Sequence, residues 1–207
     1  MYHELLRDAT FWSFLFTIDQ DLAQQCRQQA CPCGGRLHSA NYRRKPRGGP
    51  EKLPDEYCRR LSFCCDRDGC RKRATPPSVR FLGRKVYLGA VVVLVAAMRQ
   101  GPSPQRVRRL SELFDADRRT IARWQVFWRE YFPHTEFWWV ARSRLAPAVE
   151  DADLPRALLE AFVRANDDRA GWGKLLLFLS PMTINGGLKI KLSVGISPPA
   201  EDARSPS

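Results

Sequence analysis

The 207-residue sequence lacks the features of a membrane-spanning, secreted or fibrous chain. Its longest apolar run, 86–98, has 13 residues, whereas a membrane-spanning helix needs about 20. The first residues contain no basic stretch ahead of an apolar core, so no secretory signal is predicted. The 13 glycines and 15 prolines follow no period, which excludes collagen-like and low-complexity chains. We therefore expect a cytoplasmic globular protein with no membrane partner.

Acidic residues are scarce in the middle of the chain. The 34 Lys and Arg residues exceed the 22 Asp and Glu residues, which gives a net charge of +12. By segment, the net charge is −2 over 1–33, +10 over 34–85, +4 over 86–132 and zero over 133–207. Because the whole excess lies in 34–132, we predict that this part binds a polyanion, most simply through phosphate groups.

Seven cysteines in an intracellular chain are more typical of metal binding than of disulfides. Four of the cysteines form two pairs with short spacings, one on either side of Pro32 and one that ends just after Gly69. About thirty residues separate the two pairs. Such pairs can close a four-sulfur site for a structural Zn²⁺, which would replace the apolar core that this polar segment lacks. The first pair encloses one residue where two are usual, and two adjacent cysteines compete in the second. The predicted ligands are Cys31, Cys33, Cys65 and Cys70, with Cys64, Cys58, Cys26 and His38 as alternates.

Residues 105–128 have the apolar spacing of two helices that cross over a short turn at 115–117. Ser111 is small enough for the second helix to approach the first, and Asp117 is expected to cap that second helix. Asp115 stands where a helix-turn-helix usually has glycine, so an ordinary helical hairpin is the alternative. In a DNA-binding helix-turn-helix, the exposed N-terminal half of the second helix would face the major groove. That half would comprise Arg118, Arg119, Thr120 and Arg123.

Several of these motifs occur in an order that resembles a known family. Cys31-Pro-Cys-Gly-Gly is followed by Phe63-Cys-Cys, Gly69-Cys-Arg-Lys-Arg, Thr75-Pro-Pro-Ser, an apolar helix and Thr120-Ile-Ala-Arg-Trp. Over about residues 30–132 this order resembles the zinc-ribbon and helix-turn-helix front end of bacterial insertion-sequence transposases. The resemblance implies that both modules bind the terminal DNA of a mobile element.

The catalytic core of those transposases, a ribonuclease-H-like domain with a carboxylate triad, has no recognisable counterpart here. Only 75 residues follow position 132, and their acidic residues are expected in helices and loops rather than at strand ends. We therefore predict DNA binding without strand transfer and assign no catalytic residue. The acidic residues considered are Glu136, Glu150, Asp151, Asp153, Asp167 and Asp168.

The predicted fold class is mainly α with small β: a zinc ribbon, then a helix-turn-helix bundle, then a small C-terminal α/β-hairpin segment. The N-terminal helix is expected to pack its aromatic stripe on the rest of the chain, with a dimer interface as the alternative. Within the later segments, helices are predicted at 85–99, 104–114, 117–132 and 153–166, and a short strand at 57–64. The five segments are an amphipathic helix (1–29), a basic zinc-ribbon-like module (30–84), a helix-turn-helix domain (85–132), a helix with a β-hairpin (133–196) and a disordered tail (197–207).

The predicted function is sequence-specific binding of double-stranded DNA, as a non-catalytic, nucleoid-associated accessory or regulator of a mobile element. The expected partners are duplex DNA, a recombinase or transposase, and a second copy of the chain. A minimal transposase or nuclease with an unrecognised active site is one alternative, and a protein that binds structured RNA is another. The residues predicted to contact DNA are Arg43, Arg44, Lys45, Arg47, Arg71, Lys72, Arg73, Arg106, Arg118, Arg119, Thr120 and Arg123.

Overall fold

The structure is a computed structural model, which describes residues 5, 8–44, 53–82, 88–96, 105, 108, 111–112, 116–164 and 168–184. Within these residues the chain is mainly helical and has two small antiparallel sheets, which confirms the mainly α expectation. The described part contains no helix with the length and apolar character needed to cross a bilayer. The predicted C-terminal β-hairpin and the tail from residue 197 lie outside the described residues.

The first helix, α1 (Ala9–Gln28), begins at Asp8, whose side chain accepts a hydrogen bond from the Thr10 backbone N–H at 2.9 Å. One side of α1 carries three large side chains that are fully buried in the main core: Phe11, Trp12 and Leu15. This aromatic stripe therefore packs inside the chain.

Five short strands follow α1 and build the part that we call the cysteine module (residues 31–74). β1 (Leu37–Ser39), β4 (Phe63–Cys65) and β5 (Arg73–Ala74) form one antiparallel sheet in the order β1-β4-β5. β2 (Tyr42–Arg43) pairs with β3 (Arg59–Arg60) in a second antiparallel sheet.

The prediction of one strand over 57–64 is wrong. A 3₁₀ turn occupies Asp55–Cys58, and the strands β3 and β4 that follow it belong to different sheets. The break between them falls at Ser62, whose backbone N–H donates to Asn41 Oδ1 at 3.0 Å. The Ser62 N–H is therefore bonded to a side chain and does not continue the backbone hydrogen bonding between strands.

The remaining helices form the body of the protein. The segment predicted at 117–132 is helical throughout, but it changes from α-helix to π-helix after Val126 and tightens into a 3₁₀ turn at Phe132. Within the segment predicted at 104–114, residues 105, 108, 111 and 112 are described, and all are helical. The later elements are α2 (Gly89–Ala96), α3 (Arg118–Val126), the π-helix (Phe127–Tyr131), α4 (Glu136–Ala141), α5 (Arg156–Phe162) and α6 (Arg169–Leu179).

The helix predicted at 153–166 is shorter than expected. A 3₁₀ turn ends at Asp153, and α5 begins only at Arg156. Pro155 disfavours helical torsions at the residue before it, and Leu154 is accordingly extended, with ψ 144°. The helix therefore begins three residues later than predicted, directly after the proline, and ends at Phe162.

Two clusters of buried side chains hold these elements together. In the helical body, Trp128, Phe132 and Trp138 pack ring against ring, with centroid distances of 4.5 Å and 5.1 Å along that series. The cysteine module has a small cluster of its own, in which cysteines stand beside Ala23, Leu37 and Phe63. Few other apolar residues contribute to this cluster, and five of its members are cysteines.

A buried ion pair joins the two parts. The Arg80 guanidinium donates to the Asp19 carboxylate at 2.8 Å, and both side chains are 0% exposed. Asp19 also accepts hydrogen bonds from the Ser78 hydroxyl and the Val79 N–H, each at 2.6 Å. Arg80 further donates to the carbonyl oxygens of Tyr57 and Arg59. Through these bonds Asp19 connects α1 to the segment after β5, and Arg80 connects that segment to the residues at the start of β3.

Candidate metal centre

The four predicted ligands, Cys31, Cys33, Cys65 and Cys70, lie together. Their Sγ atoms are all within 4.8 Å of one another. Cys33 and Cys65 are 3.5 Å apart and Cys31 and Cys70 are 3.7 Å apart, measured between sulfur atoms. Four sulfurs bound tetrahedrally to one zinc ion at about 2.3 Å would be about 3.8 Å apart. The cluster therefore has the size of a four-thiolate metal site.

A tight turn after α1 presents the first pair. The Gly34 N–H donates to the Cys31 carbonyl oxygen at 2.8 Å, and the Cys31 N–H donates to the Gly35 carbonyl oxygen at 3.2 Å. Gly34 has φ +82°, a torsion that glycine adopts without strain. A Cβ on Gly35 would lie 2.5 Å from the Cys65 Sγ, so only glycine leaves room for that sulfur.

The second pair begins at the end of β4 and continues through another tight turn. The Cys70 N–H donates to the Arg67 carbonyl oxygen at 3.1 Å, and Gly69 has φ +80°. The β1–β4 pairing places Leu37 opposite Cys65, so the sheet carries the second pair towards the turn that holds the first. Pairing of two short strands thus brings together cysteines that are far apart in the sequence.

Backbone N–H groups stabilise negative charge on these sulfurs. The N–H of Gly35 holds the pKa of the Cys33 thiol down at about 6. The N–H of Arg67 favours the Cys65 thiolate, but burial and the neighbouring thiols together raise the pKa of Cys65 to about 12. Four thiols this close cannot all ionise without a cation, because each thiolate opposes the next. A bound metal ion would supply that positive charge.

The four alternative metal ligands suggested by the sequence contact groups outside the four-cysteine cluster. The Cys64 thiol donates to the Arg71 carbonyl oxygen at 3.4 Å, and the Cys58 thiol lies 3.8 Å from the Pro54 carbonyl oxygen. His38 Nε2 is 3.3 Å from Asp66 Oδ2, and its side chain is 64% exposed. Cys26 packs beside the small cluster, where burial raises the pKa of its thiol. None of these four belongs to the cluster of close sulfurs.

A second group of predicted site residues lies on α3. The Asp117 carboxylate accepts a hydrogen bond from the Thr120 backbone N–H at 2.7 Å, which confirms the predicted cap. The Ser111 hydroxyl donates to the Ala116 carbonyl oxygen at 2.7 Å, so this small residue contacts the turn before α3. Ile121 and Trp124 anchor α3 in the main core.

The exposed face of α3 is basic but excludes one predicted residue. Arg118, Arg119 and Arg123 are exposed, whereas Thr120 is only 6% exposed. The placement of Thr120 on the exposed half is wrong, because it lies four residues before Trp124 and therefore on the same, buried side of the helix. Its hydroxyl lies 3.4 Å from an Arg123 guanidinium nitrogen. The Thr120 hydroxyl can therefore accept a hydrogen bond from Arg123 and orient its guanidinium.

The predicted basic residues of the cysteine module occupy different environments. Arg71 and Lys72 are exposed directly after Cys70. Arg43 is exposed and pairs with Asp55 at 2.6 Å, an exposed contact that contributes little energy and leaves the charge accessible. Arg44 stacks over the Tyr42 ring at 5.1 Å. Lys45, Arg47 and Arg106 lie outside the described residues.

Arg73 has a structural role that the sequence did not indicate. Its guanidinium donates to the Ala40 carbonyl oxygen at 2.9 Å and to the Ser62 hydroxyl at 3.1 Å. It also lies over the Tyr42 ring at 5.6 Å. These contacts join β5 to the chain between β1 and β2. Arg73 therefore stabilises the cysteine module, although its side chain is exposed.

The described acidic residues after position 132 do not gather into a metal site. Asp168 accepts a hydrogen bond from the Gly171 N–H at 2.7 Å and caps α6. Asp151 accepts one from the Trp138 indole N–H at 2.7 Å and lies near Arg142. Among the residues that the structure describes, the one cluster of three or more metal-binding side chains is the four-cysteine cluster. Asp167 lies outside these residues.

Comparison of the chain with protein-family models, curated proteins and solved structures finds no match.

Proposed function

We propose that this chain is a sequence-specific double-stranded DNA-binding protein in which one structural Zn²⁺ holds the cysteine module. The observation that carries the proposal is that α3 has one buried apolar side and one exposed basic side. Its buried side is fixed in the core by Ile121 and Trp124, while its outer side presents a row of arginines at the N-terminal half. Arginine on such a helix can form two hydrogen bonds with the major-groove edge of guanine. The arginines are Arg118, Arg119 and Arg123.

The donor set of the cysteine cluster favours zinc. Four thiolates with sulfur spacings near 3.5–3.7 Å suit a tetrahedral ion that prefers sulfur, and zinc is the commonest such ion. A shell closed by four cysteines leaves no position for water or substrate, so the ion would be structural. The backbone N–H of Gly35 would stabilise the Cys33 thiolate, and that of Arg67 would favour the Cys65 thiolate against the effect of burial.

The cysteine module would then serve as a rigid basic surface for the DNA backbone. Arg71 and Lys72 follow the metal-binding turn directly, and Arg43 is exposed on β2. Side chains of this kind position a duplex through its phosphates without reading its sequence. The sequence-dependent part of binding would come from α3.

A role as a non-catalytic accessory or regulator of a mobile element, associated with the nucleoid, is the biological setting that we propose. It is supported by the order of the two modules, cysteine cluster first and capped helix second. DNA sequences selected by the purified protein can be compared with the terminal repeats of elements near its gene. Enrichment of such repeats is expected, and selection of unrelated sequences would refute the setting while leaving DNA binding intact.

The Arg123→Ala variant tests sequence-specific binding. If Arg123 contacts a base, the preference for the selected site over a scrambled site should fall by about 1–3 kcal/mol. Fluorescence anisotropy with both duplexes, at one stated salt concentration, gives the two affinities. The matched control is Arg156→Ala, which removes an exposed arginine from α5 and should leave both affinities unchanged.

Three other outcomes have distinct meanings. An equal loss on both duplexes would assign Arg123 to phosphate contact and would contradict its proposed reading role. Tighter binding of structured RNA than of duplex DNA would replace the proposal by RNA binding. Absence of binding to either nucleic acid at physiological salt would refute the proposed function as a whole.

A further inference from the structure

An open groove of about 640 Å³ lies between α1 and the sheet of the cysteine module. The α1 wall carries the carboxamides of Gln20 and Gln24 and the guanidinium of Arg27, and the opposite wall carries Asn41. Leu61 and Phe63 lie at its floor, and Phe63 is only 6% exposed. The groove therefore combines an apolar floor with walls that carry neutral carboxamides and one guanidinium.

The polar groups of this groove are available to a ligand. Gln20, Gln24 and Arg27 are exposed, and their side chains have no hydrogen-bond partner among the residues that the structure describes. A carboxamide offers two donor hydrogens and one acceptor oxygen on a planar group. Arg27 is the charged residue among those lining the groove, and no carboxylate lines it. A ligand with a flat apolar face, a hydrogen-bonding edge and negative charge nearby would satisfy all of these groups.

We propose that the groove binds an unpaired nucleobase, with Arg27 contacting the phosphate attached to it. A base has the flat face and the hydrogen-bonding edge, and glutamine pairs well with the adenine edge in particular. The excess positive charge of residues 34–85 favours a nucleic-acid strand over a neutral peptide as the source of that base. The proposal deepens the proposed DNA-binding function, since the bound DNA would supply the unpaired nucleotide.

Strand β4 carries one residue of the four-cysteine cluster and one floor residue of this groove. Phe63 and Cys65 are two residues apart in β4, so their side chains lie on one face of the sheet, and both are buried. Ser39, which also lines the groove, pairs directly with Phe63 across β1 and β4. Metal binding would therefore fix the position of the groove floor, and the nucleobase site should exist only in the metal-loaded protein.

The test uses the full metal-loaded chain and two DNA duplexes that differ by one extrahelical adenine. Replacement of that adenine by 2-aminopurine reports its environment by fluorescence. The bulged duplex should bind about tenfold more tightly than the paired duplex, because one good pair of hydrogen bonds is gained. Gln24→Leu should abolish this difference and leave the affinity for the paired duplex unchanged.

Gln25→Leu is the matched control, since Gln25 is an exposed neighbour on α1 that does not line the groove. It should keep the preference for the bulged duplex. Both variants place the same leucine on the same helix, so circular dichroism and metal content should be identical.

Equal binding of bulged and paired duplexes by the unaltered protein would overturn the inference, and so would equal effects of Gln24→Leu and Gln25→Leu. Either result leaves the proposed function standing, provided that the paired duplex is still bound. Failure to bind the paired duplex, by contrast, would refute the proposed function itself.

Discussion

Replacement of Cys65 by serine is expected to release the metal ion and unfold residues 30–75. Cys65 is fully buried between the two cysteine turns, and three other sulfurs surround its Sγ. Serine is a poor zinc ligand, and the small cluster of Ala23, Leu37 and Phe63 cannot hold the module alone. In isolated zinc modules the metal contributes about 10–16 kcal/mol of apparent binding free energy, which is folding free energy. Zinc content by mass spectrometry and proteolysis of the module would measure both effects.

Cys64→Ser is the control for this prediction. Cys64 is the adjacent residue on β4, but its thiol contacts the Arg71 carbonyl oxygen and is not one of the four close sulfurs. We expect this variant to keep one zinc ion and to resist protease as the unaltered protein does. Loss of zinc from Cys64→Ser together with full zinc content in Cys65→Ser would show that the ligand assignment is reversed.

The second large effect is expected at Asp19, where asparagine should lower the free energy of unfolding by about 3–5 kcal/mol. The substitution removes the negative charge that faces Arg80, and both side chains are 0% exposed. The guanidinium would then remain buried without a counter-ion, a state that costs more than the pair itself contributes. Folded domains have a net stability of only about 5–15 kcal/mol. Urea unfolding in the presence of excess zinc isolates this effect from metal loss.

Asp21→Asn controls for a change of charge on the same helix. Asp21 is exposed, so its replacement should alter stability by no more than about 0.5 kcal/mol. If Asp19→Asn costs as little as Asp21→Asn, the ion pair does not join α1 to the cysteine module. A loss of stability shared equally by both variants would point instead to the net charge of α1.

The grouping of the four cysteines could be predicted from the sequence because short cysteine spacings fix local turns. The choice of Cys65 over Cys64 needed one further step, which strand alternation provides. Phe63 is apolar and faces inward, so the residue two positions later in β4 faces inward as well. The pairing of β1 with β4, which brings the two turns together, has no such local signal.

The α3 site shows both the strength and the limit of helical periodicity. The capping role of Asp117 follows from local chemistry and is confirmed. The prediction that Thr120 lies on the exposed half is wrong, since its spacing from Trp124 places this polar residue on the buried side. Periodicity should therefore take precedence over residue type when a face is assigned.

The buried ion pair lay beyond sequence reasoning. Asp19 and Arg80 are 61 residues apart, and each resembles an ordinary charged residue in its local sequence. The available signal was the position of Asp19 midway between Leu15 and Ala23, both buried on the inner side of α1. A carboxylate on an apolar stripe requires a partner, but the sequence does not indicate which of the many arginines supplies it.

The most direct test of the account is X-ray absorption spectroscopy at the zinc edge on the purified full chain. We expect one zinc ion per chain, bound by four sulfur atoms at about 2.3 Å and by no nitrogen or oxygen ligand. A folded protein that contains no metal would contradict it, as would a zinc ion whose shell includes a histidine nitrogen or water in place of one of the four cysteines.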